Sequence, residues 1–208
     1  MILAQLRRSA VAVVLFTLVF GFLYALSGTG VAQLLFAHQA DGSLSAYGST
    51  LIGQNWATVR CPGHPLGSCV FHGRPDDTGP YAANPKTHTP GGDNPLVADG
   101  VKGESGATNL GPRSKTLLKD TRALVAYWHA LGVDPTPDLV TTSGSGLDPD
   151  ITPEDAIVQI PMVAKATGIS PARLRGLIAK ETSGPQLGFL GSSTIDVLAL
   201  NEALAKLR

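Results

Sequence analysis

Two cysteines and two histidines lie close together in this chain, as Cys61-x2-His64-x4-Cys69-x2-His72. Thiolate and imidazole are the ligand types of a four-coordinate zinc site. The spacing matches no established zinc pattern, however. Pro62, Gly63, Pro65 and Gly67 make the connection a turn-rich loop that the two cysteines alone can close. A disulfide between Cys61 and Cys69 is therefore the expectation if these residues face an oxidising compartment. Zinc held by Cys61, His64, Cys69 and His72 is one alternative, and free thiols are the other. A bridge closing so short a loop stabilises by only about 2–3 kcal/mol.

A second chemical candidate is Ser143-Gly144-Ser145-Gly146-Leu147-Asp148. A nucleophile turn needs Gly-x-Ser-x-Gly, and neither Ser143 nor Leu147 supplies the required glycine around Ser145. His129 is available as a base, but it falls within a helical pattern. The simpler reading is a glycine–serine turn where backbone approaches a partner closely. Asp148 and Asp150 lack the spacing of a calcium loop and read as turn and helix-start residues. No Gly-x4-Gly-Lys-Ser/Thr loop is present, so ATP binding by this chain alone has no motif behind it.

The elements that must position these residues begin with a membrane anchor. Arg7 and Arg8 precede an apolar run from Ala10 to Leu26, and no further Asp, Glu, Lys or Arg occurs until Asp41. As a helix the run spans about 26 Å, close to a hydrocarbon core of about 30 Å, with Val14 and Leu18 near its middle. Basic residues on one flank only place the N-terminus in the cytoplasm. The expected division is residues 1–8 cytoplasmic, 9–30 transmembrane and 31–208 extracytoplasmic. A cleaved secretory signal is the alternative, with Gly30-Val31-Ala32 as its cleavage site. The run exceeds the usual apolar stretch of such signals, about 7–15 residues.

Beyond the anchor, residues 31–208 amount to 178 residues, enough for one domain with a core. Formal net charge is zero, which leaves no electrostatic footprint for nucleic acid. From Ser49 to Gln54, β-branched and apolar residues closed by Gly53 predict a strand. Residues 60–113 contain 8 Pro and 10 Gly, too many for long helices or central strands. They form either a linker or an ordered irregular layer.

Three helices follow. The first spans about Lys115 to Leu131, capped by Ser114 and ended by Gly132, with Leu117, Leu124, Val125, Trp128 and Leu131 as its core face. The second starts at Thr152-Pro153-Glu154-Asp155 and runs to Gly168. Ile157, Ile160, Val163 and Ala166 point inward, and Pro161 bends it. The third starts at Ser170-Pro171, with Leu174, Leu177 and Ile178 as core. The stretch Ile195–Leu207 reads as a strand or turn leading into a helix, with Leu198, Leu200, Leu204 and Leu207 inward. The expected class is an α+β extracytoplasmic domain, helix-rich in its second half, tethered by one N-terminal transmembrane helix.

Four segments in order carry a resemblance. They are Gly48-Ser49-Thr50-Leu51-Ile52-Gly53-Gln54-Asn55-Trp56, Phe71-His72-Gly73-Arg74-Pro75, Ser105-Gly106-Ala107-Thr108-Asn109-Leu110-Gly111-Pro112, and residues 138–153, which include Ser143 to Asp148. With the single N-terminal helix, this resembles the family of C subunits of the Kdp potassium-transporting ATPase across nearly the whole chain. The resemblance implies an accessory, non-catalytic subunit of a high-affinity potassium importer. Implied partners are a channel-like potassium-selecting subunit, a P-type ATPase subunit and a small single-helix subunit. ATP and potassium would act on those partners, with no cofactor on this chain. Assembly of the complex is the implied role, alongside a proposed increase in the ATP affinity of the ATPase subunit. The resemblance also favours an ordered layer over a linker for residues 60–113. It marks Gly53, Gln54, Arg74, Pro75, Asn109, Leu110, Gly111, Pro112, Ser143, Gly144, Ser145, Gly146, Leu147 and Asp148 as partner-facing or fold-holding. Within that pattern, Cys61 to Cys69 reads as a local insertion.

Overall fold

A computed structural model describes residues 2–45, 48–54, 56–75 and 107–208. Asn55, Ser105 and Gly106 of the family-like segments, and most of the Gly/Pro-rich stretch, lie outside the described residues. The chain separates into two units, residues 1–46 and 47–208.

In the first unit, α1 (Ile2–Leu35) is one continuous helix of 34 residues, π-helical over Thr17–Leu23. Among the described residues it is the one helix long and apolar enough to cross a membrane. None of its residues is buried within the chain. A helix apolar all round has its side chains satisfied by lipid or by another protein rather than by water. The helical geometry continues well beyond the Ala10–Leu26 run on both sides.

In the second unit, α2 (Lys115–Ala130) starts where the Ser114 hydroxyl accepts from the Leu117 N–H at 3.3 Å. Leu124 and Trp128 are fully buried, while Leu117, Val125 and Leu131 pack at the margin of the core. A reciprocal box opens α3 (Pro153–Val158): Thr152 Oγ1 accepts from the Asp155 N–H, and the Asp155 carboxylate accepts from the Thr152 N–H. Pro161 breaks the expected helix instead of bending it. It has no N–H for the Ile157 carbonyl, so the helix stops at Val158 and restarts as α4 (Ile160–Thr167), with Gln159 at the break. Ile157, expected inward, is 44% exposed, because the break puts the inward face of α3 at Ala156 instead.

Ser170 caps α5 (Pro171–Glu181), and Asp196 caps α6 (Val197–Ala205) by accepting from the Ala199 N–H at 2.7 Å. Just before α3 and α6, the strands β1 (Asp150–Ile151) and β2 (Ile195–Asp196) pair antiparallel, Asp150 opposite Asp196 and Ile151 opposite Ile195. Phe71, Trp128, Leu139, Leu174, Ile195, Leu200 and Leu204 form the centre of the core.

The strand expected over Ser49–Gln54 is not there; only Gly48–Ser49 is extended. The Ser49 hydroxyl accepts from the Leu51 N–H and turns the chain, leaving Leu51 and Ile52 exposed.

Candidate functional site

Three of the four family-like segments meet in the second unit, and the contacts begin at Cys61. Cys61 and Cys69 are joined in a disulfide, with Cα atoms 5.6 Å apart. His72, the fourth member of the conceivable zinc set, is 2% exposed and directs Nε2 at the Gly67 carbonyl, 2.8 Å away. Since that carbonyl can only accept, Nε2 carries a proton and donates it. Its ring meets Trp128 edge-on at 5.4 Å. The zinc alternative therefore falls: both sulfurs are bonded to each other, and the buried imidazole nitrogen is committed to backbone. No cluster with metal-ligand composition occurs among the described residues.

Gly67 is required at this contact. Its φ is +73°, and a Cβ there would lie 2.6 Å from His72 Cε1. The disulfide clips the same loop. Reducing it, or making Cys61→Ser with Cys69→Ser, should lower unfolding free energy by about 2–3 kcal/mol, read from denaturation with and without reductant. An unchanged midpoint would mean the loop is held by its other contacts alone.

Phe71 and His72 cross the core with no neighbouring strand among the described residues. Two side-chain amides take the place of one. Asn201 on α6 accepts from the Phe71 N–H and donates to the Phe71 carbonyl, both at 2.8 Å. Gln159 at the α3–α4 break accepts from the His72 N–H at 2.8 Å and donates to the His72 carbonyl at 3.0 Å and to Asp155 O at 3.1 Å. Both amides are buried. Sequence reading singled out neither. The available signal was a lone amide inside an apolar run, Ile157-Val158-Gln159-Ile160 and Leu198-Ala199-Leu200-Asn201.

Arg74 follows directly and pins the neighbouring loop. Its guanidinium donates to the carbonyls of Thr141 and Thr142 at 3.3 and 3.0 Å, and lies 3.6 Å from Asp138. Pro75 beside it is buried. Of the two roles open to Arg74, the described contacts are internal. Gly53 joins the same junction. Its N–H donates to the Leu147 carbonyl at 2.8 Å, and a Cβ at 53 would come within 2.6 Å of the Asp148 carbonyl oxygen. Gln54 folds back so that Nε2 donates to Ser49 O at 3.2 Å. The crevice between Gly53, Arg74, Asp148 and Leu198 holds only about 10 Å³, too little for a ligand larger than a water.

The hydroxyls of Ser143 and Ser145 are 3.0 Å apart and accept from the N–H groups of Gly146 and Leu147. They shape their own turn, with Gly144 exposed and Gly146 buried in it. His129 pairs instead with Asp134 at 3.4 Å on an exposed helix face. The Asp148 carboxylate accepts from the Asp150 N–H. Burial, then the facing Asp196 and the nearby Asp148, push the Asp150 carboxyl above the usual carboxylate range. Burial does the same to Asp196, partly offset by the N–H groups it accepts at the start of α6.

The third segment bonds locally. Asn109, at φ +54°, donates to Ala107 O at 3.0 Å, the Leu110 N–H reaches the Thr108 hydroxyl, and Gly111 O accepts from the Ser114 N–H just before α2. Gly111 and Pro112 are exposed. Three of the four segments thus interlock, while the described contacts of the third stay within its own turn. His64, the remaining member of the zinc set, has a half-buried side chain in the disulfide loop.

Comparison with known proteins gives this junction a family. A profile described as K+-transporting ATPase, c chain, matches residues 6–206. A potassium-transporting ATPase KdpC subunit of Methylorubrum extorquens is 41% identical over 212 residues, covering 99% of this chain and 98% of the relative. The KdpC subunit of Rhodopseudomonas palustris (strain TIE-1) is 41% identical over 209 residues, covering 97% and 96%. The KdpC subunit of Methylobacterium nodulans is 41% identical over 212 residues, covering 99% and 98%. The match takes in α1 and all of the interlocked segments, and the chain belongs to the KdpC family, the c chain of the K+-transporting ATPase.

Proposed function

We infer that this chain is an accessory, non-catalytic subunit of a high-affinity, ATP-driven potassium uptake pump. It is anchored by α1 in a prokaryotic cell membrane, with the N-terminus in the cytoplasm and the second unit on the outer face. It assembles and stabilises a complex of a channel-like potassium-selecting subunit, a P-type ATPase subunit and a small single-helix subunit. Catalysis resides in the ATPase partner, and neither ATP nor potassium is held by this chain. The observation that carries the reading is the family match over residues 6–206. Arg7 and Arg8 on one flank of α1 support the orientation. Any effect on ATP affinity is transmitted through the partner subunits.

A tagged pull-down from potassium-starved cells in mild detergent tests this. The expected result is co-purification of a P-type ATPase and a large polytopic protein; a chain that purifies alone at normal expression overturns it. The anchor has its own test. Val14→Arg or Leu18→Arg puts a charge near mid-bilayer at a cost of about 3 kcal/mol on insertion scales. Membrane-fraction and complex yield should fall about tenfold or more, and normal yield would argue against an embedded α1.

A further inference from the structure

Between α5 and β2 the chain forms a short projecting finger. Its stem is fixed by two backbone pairs, Ser183 with Thr194 and Gln186 with Leu190. Reciprocal N–H···O bonds of 2.9 Å between Gln186 and Leu190 close a tip of three residues, Leu187-Gly188-Phe189. The tip is apolar and uncovered: Leu187 is 83% exposed, Phe189 74% and Leu190 49%. Leu187 has φ +53°, a left-handed conformation that costs a residue with a Cβ about 1 kcal/mol. No burial within the chain offsets that strain. The backbone is held in an unfavourable state to present a leucine outward.

We propose that this finger is a preformed apolar anchor that seats in a hydrophobic socket on another protein subunit of the same pump; the proposal rests on the subunit reading above. Three observations choose this occupant. First, no charged residue occurs from Thr182 to Ile195, so the finger has nothing to attract anionic lipid headgroups. Second, its shape is fixed by hydrogen bonds. Preorganisation strengthens binding to a shaped socket by reducing the ordering cost, whereas a fluid bilayer requires no defined shape. Third, the three side chains expose on the order of 400 Å², against about 800 Å² per partner in a stable interface. That is too small for a self-dimer. It is sufficient for one anchor point between chains already held together, where effective concentration is high.

The test uses the full chain co-expressed with the other pump subunits. The double variant Leu187→Ser with Phe189→Ser should reduce co-purification at least tenfold, while the far-UV CD and melting temperature of the variant chain stay near wild type. Co-purification at wild-type level overturns the proposal. A second readout does not depend on affinity. With Cys61 and Cys69 bonded to each other, L187C introduces the one free thiol for an environment-sensitive fluorophore. A blue shift that requires the other subunits supports the socket. A blue shift in lipid nanodiscs holding this chain alone assigns the finger to the bilayer and overturns it, as does no shift in the intact complex. A wild-type chain that captures no subunit overturns the subunit reading and this proposal together. A wild-type chain that does, alongside an unimpaired double variant, overturns this proposal alone.

Discussion

Gln159→Ala should destabilise the second unit by about 2–5 kcal/mol, a large share of the stability of an ordinary domain. The side chain is fully buried and is the bonding partner of both backbone groups of His72. Truncation leaves an N–H and a C=O in the core, each costing about 1–3 kcal/mol when unsatisfied. Asn201→Ala should do the same to Phe71, which is 0% exposed. Gln159→Glu separates lost hydrogen bonding from lost volume. It keeps the shape but replaces the amide donor with a buried carboxylate facing the His72 carbonyl, so it should be at least as damaging as alanine. Denaturant midpoints of the three variants decide this. Losses below about 1 kcal/mol would mean that water enters and replaces the amides.

The second large effect is a loss of stability on acidification that belongs to His72. Burial lowers its pKa from 6.5 to about 4, opposed only by the bond to Gly67. The unfolded chain therefore takes up the proton first. The stabilisation is fully present above pH 6.5, is lost as pH falls from 6.5 to about 4, and falls no further below that from this group. The shift corresponds to about 3 kcal/mol. Asp150 and Asp196 act in the opposite direction. Their raised pKa values mean that protonation relieves a cost, so they return some stability toward the acid end of the window. His72→Phe should be less stable at neutral pH, because the Gly67 carbonyl loses its donor, yet it should lack the slope between pH 6.5 and 4. A variant that keeps the wild-type slope would place the titration elsewhere.

What could be read from the sequence, and what could not, divides by distance along the chain. The starts of α2, α3 and α5 were legible because a cap and its target N–H lie three residues apart, as with Ser114 and Leu117. The consequence of Pro161 was also local, although the outcome was a break rather than a bend. Arg74 was marked by family likeness, but its partners at Thr141 and Thr142 lie 67 and 68 residues away, and no periodicity points to them. The strand expected at Ser49–Gln54 failed because β-branched composition measures fitness for a half-buried pleated surface, not the presence of one. Gly53 closes that segment for another reason, the approach of the Asp148 carbonyl. Gln159 and Asn201 were invisible as a pair because they serve residues 87 and 130 positions away.

That separation sets an order of events during synthesis. Among the described residues Phe71 and His72 have no strand beside them to satisfy their backbone, so they wait for α3–α4 and then for α6. Residue 201 leaves the ribosome 130 residues after residue 71, roughly 6–26 seconds later at about 5–20 residues per second. For that interval the segment that will cross the core is apolar and unpaired. The clip between Cys61 and Cys69 and the abundance of proline and glycine after residue 72 both disfavour its capture by a wrong strand. Because α6 is made after the segment it satisfies, a chain shortened before Asn201 should remain open to proteolysis even with every earlier helix intact.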